Sequence, residues 1–173
     1  SAIAGECTAM ERDYHYSSAI HFPDLKTPEY VGKSAGERAV KRLGARKVSS
    51  QTVPVVYDRR VASSLIGHLS GAINGASIAR GTGFLKSSMG QRIFAKGIAI
   101  VDDPLRPRGM GSRPFDGEGL ATSRRELVAD GILRGWLLDL RAARQLKLAP
   151  TGNGARGLSS PPGPSTSNLH LEP

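Results

Sequence analysis

The chain has 173 residues, a formal net charge of +9, 39% hydrophobic residues, 21 Gly, 11 Pro and one Cys. A single cysteine excludes an internal disulfide and suits a reducing cytoplasm, the expected location, while no apolar run approaches the length of a membrane span and no secretory signal is visible. That much glycine and proline disfavours a helix bundle and fits a loop-rich, β-containing protein of one domain or parts of two.

Ser1 to Cys7 is small and apolar and reads as a strand; Asp13 to His21, with Tyr14, Tyr16 and Ser18 on one side, reads as a second. Thr27-Pro28 opens a helix, because the threonine oxygen can cap free N–H groups and proline suits the first helical position. Val31, Ala35, Ala39, Val40 and Leu43 form its apolar stripe, and Gly44 ends it. Lys47 to Thr52 is a polar junction, which sets the expected domains at 1–48 and 52–173.

Val53 to Tyr57 is a β-branched run whose Pro54 favours a strand start or an edge. Asp58 then caps a helix running to Ile73, with Val61, Ala62, Leu65, Ile66, Leu69, Ala72 and Ile73 as its apolar face and Asn74-Gly75 as its stop. Ala76 to Ala79 is another helical piece, Gly81-Thr-Gly83 breaks it, and Phe84, Leu85 and Met89 form a small apolar patch. Ile98 to Val101 is a strand closed by Asp102-Asp-Pro104, and residues 105–119 form a long ordered loop. Arg124 to Val128 and Ile132 to Leu137 form a hairpin across Ala129-Asp130-Gly131, since Asp-Gly supplies the positive φ of a tight turn. Asp139 caps a last helix over Leu140 to Leu146; residues 149–167 are expected to be mobile unless a partner orders them, and Asn168 to Leu171 alternates like a beginning strand.

Helix 58–73 and its flanks carry a resemblance. The flanks are Val53-Pro-Val-Val-Tyr-Asp58, Val101-Asp-Asp-Pro104, Pro114-Phe-Asp-Gly-Glu-Gly119, Asp130-Gly131-Ile-Leu and Pro150-Thr-Gly-Asn-Gly154. Together they resemble the TldD/PmbA family of metallopeptidases, once described as modulators of DNA gyrase. In its TldD branch this helix bears a His-Glu-x-x-x-His zinc motif. Aligned on Gly67-His68, the second His is His68, the first falls on Ser63 and the Glu on Ser64. That pattern resembles the PmbA (TldE) branch, which has no metal of its own. The resemblance implies an α+β fold of mixed, mostly antiparallel sheets with short helices, in parts of two domains of a longer protein. It also implies a non-catalytic subunit, without cofactor, paired with a zinc-bearing TldD-like subunit that degrades or matures unfolded peptides; alone, the chain could pair with itself.

The chemistry agrees with that branch. A catalytic zinc needs about three protein ligands and a water, and a carboxylate to take the water's proton. Serine is a poor ligand and a poor base. His68 alone reads as a helix histidine hydrogen-bonded to a neighbour, and no residue is expected to hold metal. The competing reading is a peptidase in its own right, using His68 with ligands outside this chain. Ser63 and Ser64 lack a recognisable base or oxyanion loop, which disfavours a serine hydrolase.

Asp116 and Glu118 stand two apart. Their alternatives are a cation-binding or water-polarising pair and, favoured here, a turn in which both accept backbone N–H groups. Thr151-Gly-Asn-Gly-Ala-Arg-Gly157 lacks the ending of a nucleotide-binding loop, so Asn153 is expected to line a cleft or a subunit contact. The basic excess could serve a DNA- or gyrase-associated protein. Yet the four Phe, four Tyr and one Trp do not interleave with the basic residues, so nucleic acid is not the expected partner.

Overall fold

The computed structural model describes residues 1–172. The fold is α+β, and the chain divides into two compact units, Ser1–Val55 and Val56–Pro173.

In the first unit, β1 (Ala2–Ala4) pairs antiparallel with β2 (Glu11–Asp13), and α1 (Pro28–Lys41) packs on both. Thr27 caps α1 by accepting from Tyr30 N at 3.3 Å. Of the expected stripe only Ala35 and Ala39 are buried; Val40 and Leu43 face outward. A two-stranded ribbon covers no more of the helix than that. The second strand ends at Asp13 rather than reaching His21, because β1 offers just three residues of register. Beyond it the aromatic residues pack on one another: Tyr14 stacks on Tyr16 at 6.2 Å and His15 meets the edge of Tyr30 at 5.6 Å.

The second unit is built on a four-stranded antiparallel sheet, β5 (Ile132–Leu133), β4 (Arg125–Ala129), β3 (Ala99–Asp102) and β8 (Leu169–Glu172), in that order. A register shift between Ile100 and Val101 makes Leu127 the extra residue of a bulge. Leu127 and Val128 are therefore both buried, although consecutive strand residues normally face opposite sides. They join Ile100, Leu133, Leu137 and, from α2 (Arg59–Ala72) and its C-cap, Leu69 and Ile73 in one core. Each such large aliphatic side chain stabilises the fold by about 1.5–3 kcal/mol. α3 (Gly75–Ala79) and α4 (Leu140–Leu146) pack together, with Leu138, Ala142 and Ala143 as a smaller core. The ribbon β6 (Gly154–Ala155) and β7 (Gly163–Pro164) stands apart from the main sheet.

Caps and turns follow the sequence closely. Asp58, Asn74 and Asp139 cap α2, α3 and α4 by accepting from Arg60, Ala76 and Ala142 N–H groups. Asp130 and Gly131 both have positive φ, 49° and 75°, and close the β4–β5 turn in two residues. The Gly97 backbone N–H and the Arg92 guanidinium hold the Asp130 carboxyl below its ordinary pKa.

Four expectations are corrected. Val53 to Tyr57 is not a strand: no strand among the described residues pairs with it, and its side chains are exposed, Val56 at 96%. Val61 and Leu65 of the α2 stripe are half exposed, because the sheet meets only the C-terminal half of that helix. In the expected apolar patch Leu85 alone packs on the core, while Phe84 is 82% exposed. Finally, the 149–167 stretch, expected to be mobile, is anchored in part, although residues 157–161 are exposed. Gly152, Asn153 and Gly154 are buried and hydrogen-bonded into the body of the unit.

Candidate functional site

On α2 the three motif positions do not converge. Ser63 shares a face with Ile66, Gly67 and Ser70, and these line a groove of 320 Å³ together with Thr166, Ser167 and Leu169. His68 lies about 140° further around the helix. It is exposed, beside the exposed Val61, Ser64 and Leu65. Ser64 donates its hydroxyl hydrogen to Val61 O at 2.6 Å, which turns the oxygen back onto its own helix. Among the described residues His68 has no hydrogen-bond partner, so the expected bond to a neighbour is not made. Nor, among those residues, do three His, Cys, Asp or Glu side chains come together as a metal site. A serine facing a groove, a back-bonded serine and a lone imidazole do not make a zinc site by themselves.

A second concavity shares Ser167 and Leu169 with this groove. There Arg106, Pro107, Arg108, Gly109 and Met110 line a further 480 Å³. Asn168 fixes this wall: its Nδ2 donates to Asp103 O (2.7 Å) and Ser112 Oγ (2.8 Å), and its Oδ1 accepts from Gly111 N (2.9 Å). His170 Nδ1 donates to Asn168 O at 3.0 Å, which makes Nδ1 the protonated nitrogen. Strand β8 lies at the edge of its sheet. Asp103 N bonds Asn168 O, and antiparallel alternation then turns the backbone groups of Leu169 and Leu171 outward, away from β3.

Two buried carboxylates fasten the loops of this unit, and the first of them holds Ser167 of the groove. Asp102 Oδ1 accepts from both the backbone N–H and the hydroxyl of Ser167, each at 2.7 Å. Its Oδ2 accepts from Asn153 Nδ2 at 2.8 Å, and that nitrogen also donates to Ser165 O. Asn153 Oδ1 in turn receives the Thr151 hydroxyl at 2.7 Å. Asp116 is the second fastener. Oδ1 accepts from Glu118 N and Leu120 N, both at 2.9 Å, and Oδ2 from Gly154 N at 2.8 Å. Burial raises the Asp116 pKa, but the three N–H donors and the Arg113 charge outweigh it, so the carboxyl titrates below its ordinary value. Glu118 accepts from Leu140 N at 2.8 Å, at the start of α4. Asp116 and Glu118 thus serve as acceptors for backbone N–H groups of the 116–120 turn, β6 and α4.

Gly119 in that turn has φ +81° with open space around its Cβ position. Gly119→Ala therefore carries a conformational penalty alone, and we expect a loss of about 1 kcal/mol in urea denaturation. Asp102, Thr151 and Ser167 escaped the sequence reading. Asp102-Asp-Pro104 looks like the close of a strand, and nothing local signals that Asp102 anchors residues more than fifty positions away. Asn153 alone of the network stood out, through its glycine neighbours.

An antiparallel sheet, one capped helix packed against it and a loop system tied by buried carboxylates define an α+β domain. The sequence profile of the PmbA/TldA metallopeptidase C-terminal domain matches residues 50–173. Metalloprotease PmbA of Escherichia coli O157:H7 is 44% identical over 151 residues, which cover 87% of this chain and 34% of that protein. The crystal structure of a candidate modulator of DNA gyrase from Thermotoga maritima MSB8 superposes with a TM-score of 0.87 at 30% identity, over 99% of this chain and 38% of that one. TldE from Thermococcus kodakarensis superposes with a TM-score of 0.55 at 26% identity, over 62% of this chain and 26% of that one. The chain belongs to the PmbA/TldA metallopeptidase family. It spans about a third of the length of the curated relatives it matches.

Proposed function

We propose that this chain is part of the TldE-like, non-catalytic subunit of a TldD-type metallopeptidase complex acting on unfolded peptides in the cytoplasm. The observation that carries the reading is the chemistry on α2, where Ser63, Ser64 and His68 stand at the three positions that would need His, Glu and His. Hydroxyl groups cannot replace an imidazole ligand and a carboxylate base near neutral pH. Zinc in this reading sits in the partner subunit. The role left to this chain is to hold and guide peptide. An extended peptide could add to the outward backbone groups of Leu169 and Leu171. The likeness to TldE supports the pairing. The gyrase-modulator description belongs to the structural relative, and no surface described above favours duplex DNA.

The test mixes the full-length protein with a relative bearing the His-Glu-x-x-x-His motif. Alone, the protein should hold no stoichiometric zinc and cleave no unfolded peptide. Mixed, the two should co-elute and cleave. Tightly bound zinc at one ion per chain, or cleavage by the protein alone that His68→Ala abolishes, would overturn the proposal in favour of a peptidase in its own right.

A further inference from the structure

We infer that the notch between α3 and α4 docks an acidic polypeptide segment, with the guanidinium groups of Arg80 and Arg141 as its carboxylate-recognising pair. The chain is strongly basic, and most acidic side chains of its second unit are already engaged. Asp58, Asp130 and Glu172 pair with Arg60, Arg92 and Arg124 at 3.1, 3.2 and 2.6 Å. Asp102, Asp103, Asp116, Glu118 and Asp139 accept from backbone N–H groups. Arg80 and Arg141 have no carboxylate partner among the described residues; Arg80 has a single side-chain bond, to Ser77 Oγ at 3.3 Å.

Nearby basic residues have local reasons to be where they are. Arg144 and Lys147 lie at the C-terminal end of α4, and Arg80 is the C-cap of α3, where the helix dipole favours cations. Arg141 is the second residue of α4, where the dipole disfavours cations. The notch itself is small, 80 Å³, and is lined by Arg80, Arg141, Gln145, Pro162 and Gly163 among others. Asp139 also borders it, but that carboxylate is buried and accepts from Ala142 N at 2.7 Å. Both arginines border the same notch, and a guanidinium pairs with a carboxylate through parallel N–H···O bonds.

The surroundings favour a protein over a nucleic acid. No aromatic ring lines the notch for a base to stack on. Leu158, in the segment between β6 and β7, is fully exposed, an apolar contact that a protein surface can match. Two arginines at one notch do not trace a phosphate backbone. The notch shares no lining residue with the groove along β8, so the inference is independent of the subunit reading.

The experiment is a fluorescence-anisotropy titration of the full chain with a labelled Glu- and Leu-rich peptide at low salt. Arg80→Glu/Arg141→Glu should weaken binding by about tenfold or more, and Arg80→Gln/Arg141→Gln should weaken it in the same direction. The charge-matched control Lys96→Glu/Arg134→Glu should bind like the parent. An equal loss in the control would reduce the effect to bulk charge and overturn the inference. So would the absence of parental binding, or a short duplex DNA that binds more tightly than the peptide through the same two arginines. Far-UV circular dichroism of each variant confirms that the fold is retained, as expected for exposed side chains.

Discussion

Asp116→Ala should destabilise the second unit by roughly 3 kcal/mol or more, the sum of leaving the Glu118, Leu120 and Gly154 N–H groups without their charged acceptor. Asp116→Asn separates the contributions. It can keep the Oδ1 bonds from Glu118 and Leu120, but its amide nitrogen would face the Gly154 N–H, donor against donor. We expect about half the loss of the alanine variant. Trp136, the sole tryptophan, packs against both cores of the unit, so its fluorescence in a urea titration reports the transition. The pH dependence has a definite sign. Desolvation works to raise the Asp116 pKa, but three backbone donors and Arg113 pull it below the ordinary 3.8 in the folded state. Its stabilisation is therefore complete above about pH 4 and is lost as pH falls through the lower folded value. The asparagine variant lacks that component, so its deficit relative to the parent should shrink in acid. An Asp116→Ala variant that unfolds at the parental urea concentration would remove Asp116 as a fastener of this fold.

What the sequence showed plainly was whatever depends on near neighbours. Asp58, Asn74 and Asp139 are caps because an N-cap interaction spans two or three residues, and Asp130-Gly131 is a turn because its backbone angles are local. The motif positions on α2 were legible for the same reason, since a helix fixes their spacing. What failed depended on partners far along the chain. Val53 to Tyr57 has strand composition, yet a strand forms only where another offers hydrogen bonds, and none among the described residues does. The glycine- and proline-rich stretch 149–167 looked loose because its composition gives no hint of Asp102 and Asp116, which reach it from 51 and 38 positions away. Low local propensity reports only what the segment would do alone. The bulge at Leu127 is a similar case: a strict alternation of faces would have placed one of Leu127 and Val128 outside.

Asp102 also bears on the groove through Ser167, and Asn153→Asp tests that link most severely. Asn153 Nδ2 donates to Asp102 Oδ2 at 2.8 Å, with both residues buried. Replacing that amide by a carboxylate sets two acceptors face to face in a site closed to water. At neutral pH we expect a loss of roughly 3–5 kcal/mol, more than Asn153→Ala, which removes the bond without adding a charge. The introduced carboxyl would have a folded pKa above its ordinary value, through burial and the neighbouring negative charge. A group of that kind stabilises relative to its ionised form below the unfolded value and loses that contribution as pH rises through the folded one. The deficit of Asn153→Asp against the parent should thus be smallest near pH 4 and grow towards neutrality. A deficit that stays constant with pH would point to shape rather than charge. Because Asp102 also holds Ser167, loosening this contact should free the 165–169 segment. Hydrogen exchange of the Ser167 amide in Asn153→Asp should accelerate at neutral pH while amides of β4 stay protected, which places the Ser167 segment of the groove, rather than the sheet, under the control of this buried pair.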